Sequence, residues 1–398
     1  MSQTERLGVY VSVPFCRAKC SFCNFASGVS TADTIAQYVH ALCAEIDRVG
    51  ARVASLEAEL PGVVDTVYFG GGTPSLLSSR QLREIFAALN RLFVVDRDAE
   101  ITLEAAPGQI ADEVLEEGMR LGVNRVSLGV QSFVDRESAA VGRTHTGESC
   151  LHEIARLRAQ GVKEVGADLI AGLPYQTRES WKTSLEAACS SDLTHLSVYL
   201  LEIDEGSRLG REVLGGGARL HAPAVAGEEL AAELYEEACE FLEANEFAQY
   251  EISNFARGVE HQSRHNRKYW ERAPYLGFGL DAHSMLLRPN GSAARFANAD
   301  ELDAYDAGVG HEITKVGQRE AFEECVFLGL RLNDGLAVDS LRERFPSRWV
   351  RSCEERIGQL VNEGLMLVED RRWKLTRRGR LVSSEVFGEL LAVVAQER

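Results

Sequence analysis

The sequence predicts an α/β fold: a parallel sheet covered by helices, followed by a smaller C-terminal module. Three observations carry this prediction. Six short β-rich runs alternate with amphipathic helical patterns through the first two-thirds of the chain. Each run is apolar on both faces or nearly so, as in parallel strands with helices on either side. After about residue 315 the pattern changes to helices followed by strand, turn and strand.

The predicted elements follow one another in regular order. Strands are predicted at 8–13, 64–69, 100–105, 125–129, 166–171 and 196–201. Helices are predicted at 33–49, 79–92, 112–121, 149–160, 179–188 and 228–243. Six β–α units with right-handed crossovers are too few for a closed eight-fold barrel. We therefore predict a partial (β/α)6 barrel, with ligands at the carboxyl ends of its strands.

The remaining third is predicted from weaker patterns. One more strand is expected at 249–256, then a polar and aromatic stretch at 261–270 and a Gly-rich loop at 277–279. Two helices after Glu320, a third at about 353–362 and a strand–turn–strand from Gly364 make the end of the chain winged-helix-like. The predicted domains are 1–245 for the barrel, 246–314 for an extension and 315–398 for the C-terminal module.

Composition limits the classes of function. The 398 residues include 60 acidic and 43 basic side chains, a net charge of −17, which argues against general binding to nucleic acid or anionic membranes. There is no signal-peptide pattern and no apolar run approaching the roughly 18 residues of a membrane span. Of the nine cysteines only the first three are clustered, unlike a disulfide scaffold. We predict a cytoplasmic protein with reduced thiols and no transmembrane segment.

The strongest motif follows the first predicted strand and reads Cys16-Arg-Ala-Lys-Cys20-Ser-Phe-Cys23. Three thiolates at spacings of four and three can each hold one corner of a four-iron cluster and leave one iron open for substrate. Zinc would need a fourth close ligand, and Asn24 and Phe25 come next. The alternative is a three-cysteine zinc site completed by a distant histidine.

A second motif, Tyr68-Phe-Gly-Gly-Gly-Thr-Pro74, ends the second predicted strand. Its glycines allow a ligand to approach the backbone closely, and Pro74 restricts the end of the turn. It lacks the Lys-Ser/Thr pair of a P-loop. Because both motifs follow neighbouring parallel strands, we expect them at the same edge of the sheet.

The two motifs together resemble those of the radical S-adenosylmethionine (SAM) superfamily. That resemblance implies a radical SAM barrel in which Cys16, Cys20 and Cys23 hold a 4Fe–4S cluster whose open iron binds SAM. The positions that match SAM contacts are Tyr10, Phe22, Gly71, Gly72, Thr73, Glu104, Gln131, Arg143 and Asp168. Glu104, Gln131 and Asp168 lie at or near strand ends, where polar groups can face ribose hydroxyls and an ammonium group. No catalytic residue is assigned.

Nearly the whole chain is similar to the branch that contains coproporphyrinogen III dehydrogenase (HemN) and the heme chaperone HemW. The dehydrogenase extends the cluster motif by a further cysteine, where this chain has Phe25, and it has a longer N-terminal segment. The chaperone carries a His-Asn-x-x-Tyr-Trp motif, present here as His265, Asn266, Tyr269 and Trp270. The resemblance therefore favours heme binding and delivery to an acceptor protein, with heme as a third bound group.

From the residues alone, the interpretation of this motif stays open. Imidazole binds heme iron, and Tyr269 and Trp270 offer flat faces to a porphyrin. A Tyr-Trp pair beside a histidine is also often an ordinary packed corner. His261 and His283 are lesser candidates, and the loop 275–279 is expected to support the pocket through its backbone geometry.

A cluster of basic residues marks the predicted wing: Arg371, Arg372, Lys374, Arg377, Arg378 and Arg380, with Trp373 among them. A basic wing can bind DNA, which would make the chain a redox-sensing regulator. With a net charge of −17, we instead predict a hairpin that docks on the barrel or on a partner, and no nucleic acid.

The predicted function is a heme chaperone that delivers heme to an acceptor, for example a respiratory hemoprotein. If the radical chemistry operates, an electron donor such as flavodoxin or ferredoxin is implied, and a homodimer is possible. The alternative is an enzyme: oxygen-independent coproporphyrinogen III oxidation, or a related radical methyl transfer.

Overall fold

The computed structural model describes residues 6–289, 292–308 and 312–396. Its strands are β1 Leu7–Val13, β2 Val63–Gly71, β3 Val94–Ala105, β4 Arg125–Gln131, β5 Glu164–Ala171, β6 His195–Leu200, β7 Ala248–Gln249, β8 Asn254–Ala256, β9 Tyr275–Phe278, β10 His283–Leu287, β11 Ala293–Ala297, β12 Glu312–Val316, β13 Leu336–Ala337, β14 Met366–Glu369 and β15 Arg372–Leu375. The six predicted strands of the barrel are confirmed: β1 to β5 extend beyond their predicted ends, and β6 begins and ends one residue earlier than predicted.

The helices are α1 Ala32–Ser55, α2 Ser79–Leu92, α3 Asp112–Arg120, α4 Asp135–Ala140, α5 Gly147–Ala159, α6 Arg178–Ser190, α7 Arg208–Leu214, α8 Glu228–Ala244, α9 Arg264–Trp270, α10 Leu302–Asp306, α11 Gln318–Gly329, α12 Val338–Arg344, α13 Ser347–Asn362, α14 Arg377–Leu381 and α15 Ser383–Gln396. Several begin where the sequence supplies a cap. Ser78 and Gln81 form a capping box at the start of α2, and Thr146 and Ser149 form another at α5.

The main sheet has twelve strands in the order β12-β11-β10-β9-β1-β2-β3-β4-β5-β6-β8-β7. Strands β1 to β6 are parallel and follow one another in space, which confirms the partial barrel. The Gly-rich loop predicted at 277–279 is wrong in part, because Gly277 and Phe278 belong to β9, which pairs in parallel with β1. Glycine there admits close backbone approach: a Cβ on Gly277 would lie 2.3 Å from the His283 carbonyl oxygen.

The single strand predicted at 249–256 is also wrong. Two short antiparallel strands, β7 and β8, occupy this range, and β8 pairs with β6 in antiparallel orientation. The buried carboxylate of Glu251 accepts hydrogen bonds from the Ser253 amide, at 2.9 Å, and from the Asn254 side chain. These local side-chain hydrogen bonds compete with the strand ladder and turn the chain between the two strands.

The barrel strands are apolar on one face only, which corrects the expectation of two apolar faces. Alternate residues such as Val9, Val67 and Leu103 are fully buried against the helices in the core. The other face, toward the barrel interior, carries polar side chains and glycines, among them Thr66, Tyr68, Thr102, Glu104, Ser127, Asp168 and Ser197. Parallel strands can have a polar face here because that face lines the barrel interior and does not pack on a second layer of helices.

The C-terminal module has the predicted helices and hairpin, with α11, α12 and α13 packed beside the three-stranded sheet β13-β15-β14. A further helix, α15, packs on α11 and α13. Basic residues of the wing pair with acidic ones: Arg371 with Asp339 at 3.1 Å, and Arg377 with Glu240 of α8 at 3.4 Å. Arg377 lies at the start of α14, directly after the hairpin, so this contact places α14 against the barrel.

Across the described ranges, none of the helices has both the length and the apolar character that crossing a membrane requires.

Candidate cluster and cofactor site

The cysteine motif lies in the loop between β1 and α1, at the carboxyl ends of the barrel strands. Backbone hydrogen bonds hold this loop from several sides. The Cys16 amide donates to the Gly28 carbonyl at 2.9 Å, and the Ser21 amide donates to Val141 at 3.1 Å. The Ser21 carbonyl in turn accepts from the Leu209 amide of α7 at 2.8 Å. The loop is therefore positioned by main-chain contacts and not by its cysteines alone.

The Gly-Gly-Gly-Thr-Pro loop packs directly on the cysteine loop. The amides of Gly72 and Thr73 donate to the carbonyls of Val13, at 2.9 Å, and Phe15, at 2.7 Å. A Cβ on Gly72 would lie 2.6 Å from the Phe15 carbonyl oxygen, so no larger residue fits without a backbone shift. The Thr73 hydroxyl lies 3.7 Å from the Cys16 sulfur. The predicted juxtaposition of the two motifs is present.

The three cysteines suit a cluster better than a single ion. In the described ranges, no three His, Cys, Asp or Glu side chains are gathered tightly enough to hold one metal ion. In a four-iron cluster each thiolate binds a different iron atom and the thiolates lie farther apart. Burial raises the pKa of the Cys20 thiol, and the Arg143 guanidinium partly offsets that effect. Cys16, Cys20 and Cys23 are therefore the residues that would hold the cluster.

Two carboxylates face the barrel interior near this loop. Glu104 accepts from the Tyr68 hydroxyl at 2.8 Å and from the Gly71 amide. Burial, together with the nearby Asp168, raises the pKa of Glu104 to about 7. Asp168 accepts from the Ser127 hydroxyl at 3.3 Å, and burial raises its pKa too. Two buried carboxyls that are costly to ionise suit a ligand that brings a positive charge and hydroxyl donors.

The side chains of Arg143 and Gln131 lie close to Gly129, and the absence of a side chain at Gly129 leaves room for them. A Cβ on Gly129 would lie 2.8 Å from the Arg143 guanidinium and 3.1 Å from the Gln131 amide nitrogen. Gln131 ends β4 with a φ of 68°, an uncommon conformation for a residue other than glycine and one frequent at functional sites. The buried Nε of Arg143 has no hydrogen-bond partner among the described residues. An unpartnered buried donor is a natural contact for an anionic or polar ligand group.

The predicted SAM-contacting residues lie on β1 to β5 or in the connections that follow these strands. Tyr10 lies on the inner face of β1, with its ring 6.1 Å from that of Tyr68. Gly71 has a φ of 102°, which favours glycine. Phe22 packs on the small apolar cluster of Val141, Ile170, Leu173, Leu209 and Ala222. Hydrogen-bond donors and acceptors for a polar cofactor are therefore present among these residues.

The His-Asn-x-x-Tyr-Trp motif forms the short helix α9, on the opposite side of the barrel interior from the cysteine loop. The Glu100 carboxylate accepts from the amides of Arg264, at 3.0 Å, and His265, at 2.9 Å. Lys268 pairs with Asp65 at the start of β2, at 2.7 Å. The Asn266 amide donates to the Ser263 hydroxyl at 3.2 Å. These contacts seat α9 against β2 and β3.

His265 is a packed residue in this arrangement, with both ring nitrogens in use. Its Nδ1 lies 2.8 Å from the Thr66 hydroxyl and its Nε2 lies 2.9 Å from the Tyr269 hydroxyl. Its ring stacks on Tyr68 at 5.1 Å, and burial, with Lys268 nearby, lowers the pKa of His265 to about 3. The imidazole is therefore neutral and hydrogen-bonded within the protein, so it presents no free nitrogen to an iron atom.

Trp270 is covered as well, since the Arg331 guanidinium lies 4.2 Å from its ring centroid. Tyr269 is the member of the motif that reaches an open space. A cavity of about 370 Å³ is lined by Tyr10, Ser12, Phe25, Ala26, Gly71, Tyr269, Tyr275, Leu280, Asp281 and His283. Two of the predicted SAM-contacting residues, Tyr10 and Gly71, are among them. A larger groove of about 570 Å³ on the outer surface between α1 and α2 shares none of these residues.

Two residues of the site lie outside every predicted motif. Ser127 donates to Asp168, and Asp281 lines the cavity. Tyr68 and Tyr275 lie within the predicted glycine motif and supporting loop, but the sequence predicts neither the hydrogen bond from Tyr68 to Glu104 nor the position of Tyr275 on a strand beside the cavity. The alternation of polar with apolar residues along β2 and β4 is the signal that marks Tyr68 and Ser127, and no comparable signal marks Asp281.

Comparisons with known proteins identify the family to which the chain belongs. Residues 10–188 match the Radical SAM superfamily and residues 316–382 match the HemN C-terminal domain. The fold matches coproporphyrinogen III oxidase (HemN) from Escherichia coli with a TM-score of 0.80, at 24% identity, over 100% of this chain and 92% of the other. The chain therefore belongs to the radical SAM superfamily, whose fold implies a 4Fe–4S cluster and SAM.

Similarity in sequence narrows the family further. The chain is 31% identical to the heme chaperone HemW of Lactococcus lactis, over 96% of each chain. It is 32% identical to the heme chaperone HemW of Bacillus subtilis, over 96% of this chain and 98% of the other. Within the radical SAM superfamily it belongs to the HemW family.

The buried carboxyl of Glu104 predicts a stability that depends on pH. Below its ordinary pKa of 4.5, Glu104 is protonated in both the folded and the unfolded chain. Between 4.5 and about 7 only the unfolded chain releases the proton, so the free energy of unfolding falls as pH rises and stays low above 7. At about 1.4 kcal/mol per pKa unit, the loss approaches about 3 kcal/mol.

The variant Glu104→Gln keeps an acceptor for Tyr68 and removes this cost. Urea unfolding of the cluster-free chain should find it more stable than the parent at pH 8 and equal to it near pH 4, while SAM binding weakens. The same substitution at exposed Glu343 controls for the loss of one charge. If Glu104→Gln and the parent have the same free energy of unfolding at every pH, the result contradicts a raised pKa of Glu104.

Proposed function

We propose that this chain binds heme and passes it to an acceptor hemoprotein, while carrying a 4Fe–4S cluster on Cys16, Cys20 and Cys23 and SAM on the adjoining rim. The observation that carries the proposal is the aromatic cavity beside the SAM-contacting residues. Tyr10, Tyr269 and Tyr275 supply flat faces of the kind that pack on a porphyrin, and Phe25 is 60% exposed at the same cavity. The relatives named heme chaperones support it over nearly the whole length.

Phe25 is the residue that favours a heme chaperone over an enzyme that oxidises coproporphyrinogen III. It stands where the dehydrogenase motif has a further cysteine, and it lines the cavity. The Lys19 ammonium donates to the Phe25 carbonyl at 2.9 Å, which holds the turn after the third cysteine. An exposed aromatic side chain at the mouth of a cavity favours binding of a flat apolar ligand.

The chain's own residues determine how the cofactors are held. Glu104 and Asp168 would accept hydrogen bonds from hydroxyl or ammonium groups, as they do from Tyr68 and Ser127. Gln131 approaches from the end of β4, Arg143 from the connection between α4 and α5, and Gly71 lines the adjoining cavity. When bound, the cluster and SAM supply one-electron reduction and radical initiation. Heme is the cargo in this proposal, and transfer requires that its site open toward the acceptor.

Heme titration of the anaerobically reconstituted chain tests the proposal. We expect saturable binding of one heme per chain, followed by absorbance, and release that accelerates as a heme-free respiratory hemoprotein is added. Passive loss of heme would instead proceed at the same rate at every acceptor concentration, and would contradict a delivery function.

The same preparation, incubated with coproporphyrinogen III, SAM and a reductant, tests the alternative. Under the proposal no protoporphyrinogen accumulates. Its formation over many turnovers would identify the chain as an oxidase and overturn the chaperone function.

A further inference from the structure

The cavity beside the SAM-contacting residues contains one imidazole, that of His283 at the start of β10. The side chain of His283 is 68% exposed, and Nε2 lies 3.9 Å from the Asp281 carboxylate. That distance is too long for a hydrogen bond. A ring in this state can turn one nitrogen toward a ligand and its other N–H toward the carboxylate.

Other histidines of the described ranges are engaged by the protein. Those with a ring nitrogen within hydrogen-bond distance of a protein oxygen are His145, His195, His221, His261 and His265. His40 lies in the groove between α1 and α2, and His152 is exposed on α5. His283 is thus the histidine that combines an accessible ring with a position in the aromatic cavity.

Backbone contacts around His283 fix its position beside the cavity. Asp281 has a φ of 55°, an uncommon conformation held by the hydrogen bond from its amide to the Ala299 carbonyl, at 2.9 Å. Gly277 lets β9 approach the His283 backbone to a distance that no side chain allows. The segment 275–279 therefore supports the cavity through its backbone geometry.

We propose that the imidazole of His283 is the axial ligand of the heme iron, with Tyr269 and Tyr275 forming the wall of the cavity and Asp281 orienting the ring. This inference rests on the proposed heme-binding function. A neutral imidazole nitrogen donates its lone pair to the iron, and a carboxylate beside the second nitrogen increases the basicity of such a ligand. In this proposal His265 is a positioning residue, because its Nε2 lies within hydrogen-bond distance of the Tyr269 hydroxyl and keeps Tyr269 in place.

Titration of the full-length, anaerobically reconstituted chain with ferric heme tests this ligand. His283→Ala should weaken heme binding by at least about tenfold, the lower limit seen when only the partner of a metal-binding histidine is removed. It should also abolish the absorbance and electron paramagnetic resonance signature of histidine ligation. Added free imidazole should restore that signature in the variant. The matched control His152→Ala should change neither quantity.

His265→Ala separates a ligand from a positioning residue. We expect it to lower heme affinity through displacement of Tyr269 and to keep the histidine signature. Loss of that signature in His265→Ala, with its retention in His283→Ala, would overturn the inference and make His265 the ligand. If the parent chain binds no heme at all, the proposed function itself fails. Iron content of the cluster and thermal unfolding show whether each variant is folded.

Discussion

Replacing Cys16, Cys20 or Cys23 by alanine is expected to eliminate most of the cluster iron after anaerobic reconstitution. Each thiolate would bind a different iron atom, and the loop has no fourth cysteine to take over the vacant position. Iron and sulfide analysis, together with the visible absorbance of the reconstituted chain, measures the loss. SAM binding should fall with it, because the open iron is expected to hold part of SAM.

Cys43→Ala is the matched control for the cysteine variants. Cys43 is half-buried on α1 and packs against the core of the barrel. Removal of the Cys43 thiol should leave the iron content unchanged and lower the free energy of unfolding only slightly. Equal iron in Cys20→Ala and Cys43→Ala would contradict the assignment of the cluster to the loop between β1 and α1.

The second large effect is expected from Gly72→Ala. The new methyl group would lie within 2.8 Å of three backbone atoms, the amide nitrogen and carbonyl oxygen of Phe15 and the carbonyl oxygen of Val13. Because backbone cannot move aside as a flexible side chain does, the glycine loop and the cysteine loop must separate. We expect a loss of about 1–3 kcal/mol in unfolding free energy, as for other overpacked sites.

SAM affinity should fall further than stability alone explains, since the shift occurs between the two loops that form the site. Equilibrium dialysis with SAM and chemical unfolding measure the two effects separately. Gly62→Ala, in the turn before β2, is the control: its methyl group lies in open space, so SAM affinity and unfolding free energy should equal those of the parent. A Gly72→Ala variant with the affinity and stability of the parent would show that the two loops are not tightly packed.

The order of elements in the barrel could be predicted because its signals are local. Six apolar runs, the helical periodicity between them and caps such as Ser78 are properties of short segments. The location of Cys16, Glu104 and Asp168 on one rim also followed, because parallel strands bring their carboxyl ends together. The polar inner face was not predicted, because short runs that mix valine and leucine with tyrosine, threonine, serine and glycine do not show which face packs on helices and which lines the barrel interior.

Motif spacing and hydrophobic periodicity predict the family, the barrel and the cysteines expected to hold a cluster, because this information lies in short segments of the sequence. Only the tertiary structure decided the surroundings of α9. His265 is tied to Thr66, a residue 199 positions earlier, and Tyr269 shares a cavity with Tyr10 and His283. Contacts between residues so far apart in sequence depend on the closure of the whole barrel. Whether a histidine is a ligand or a packed residue therefore depends on neighbours that no local pattern specifies.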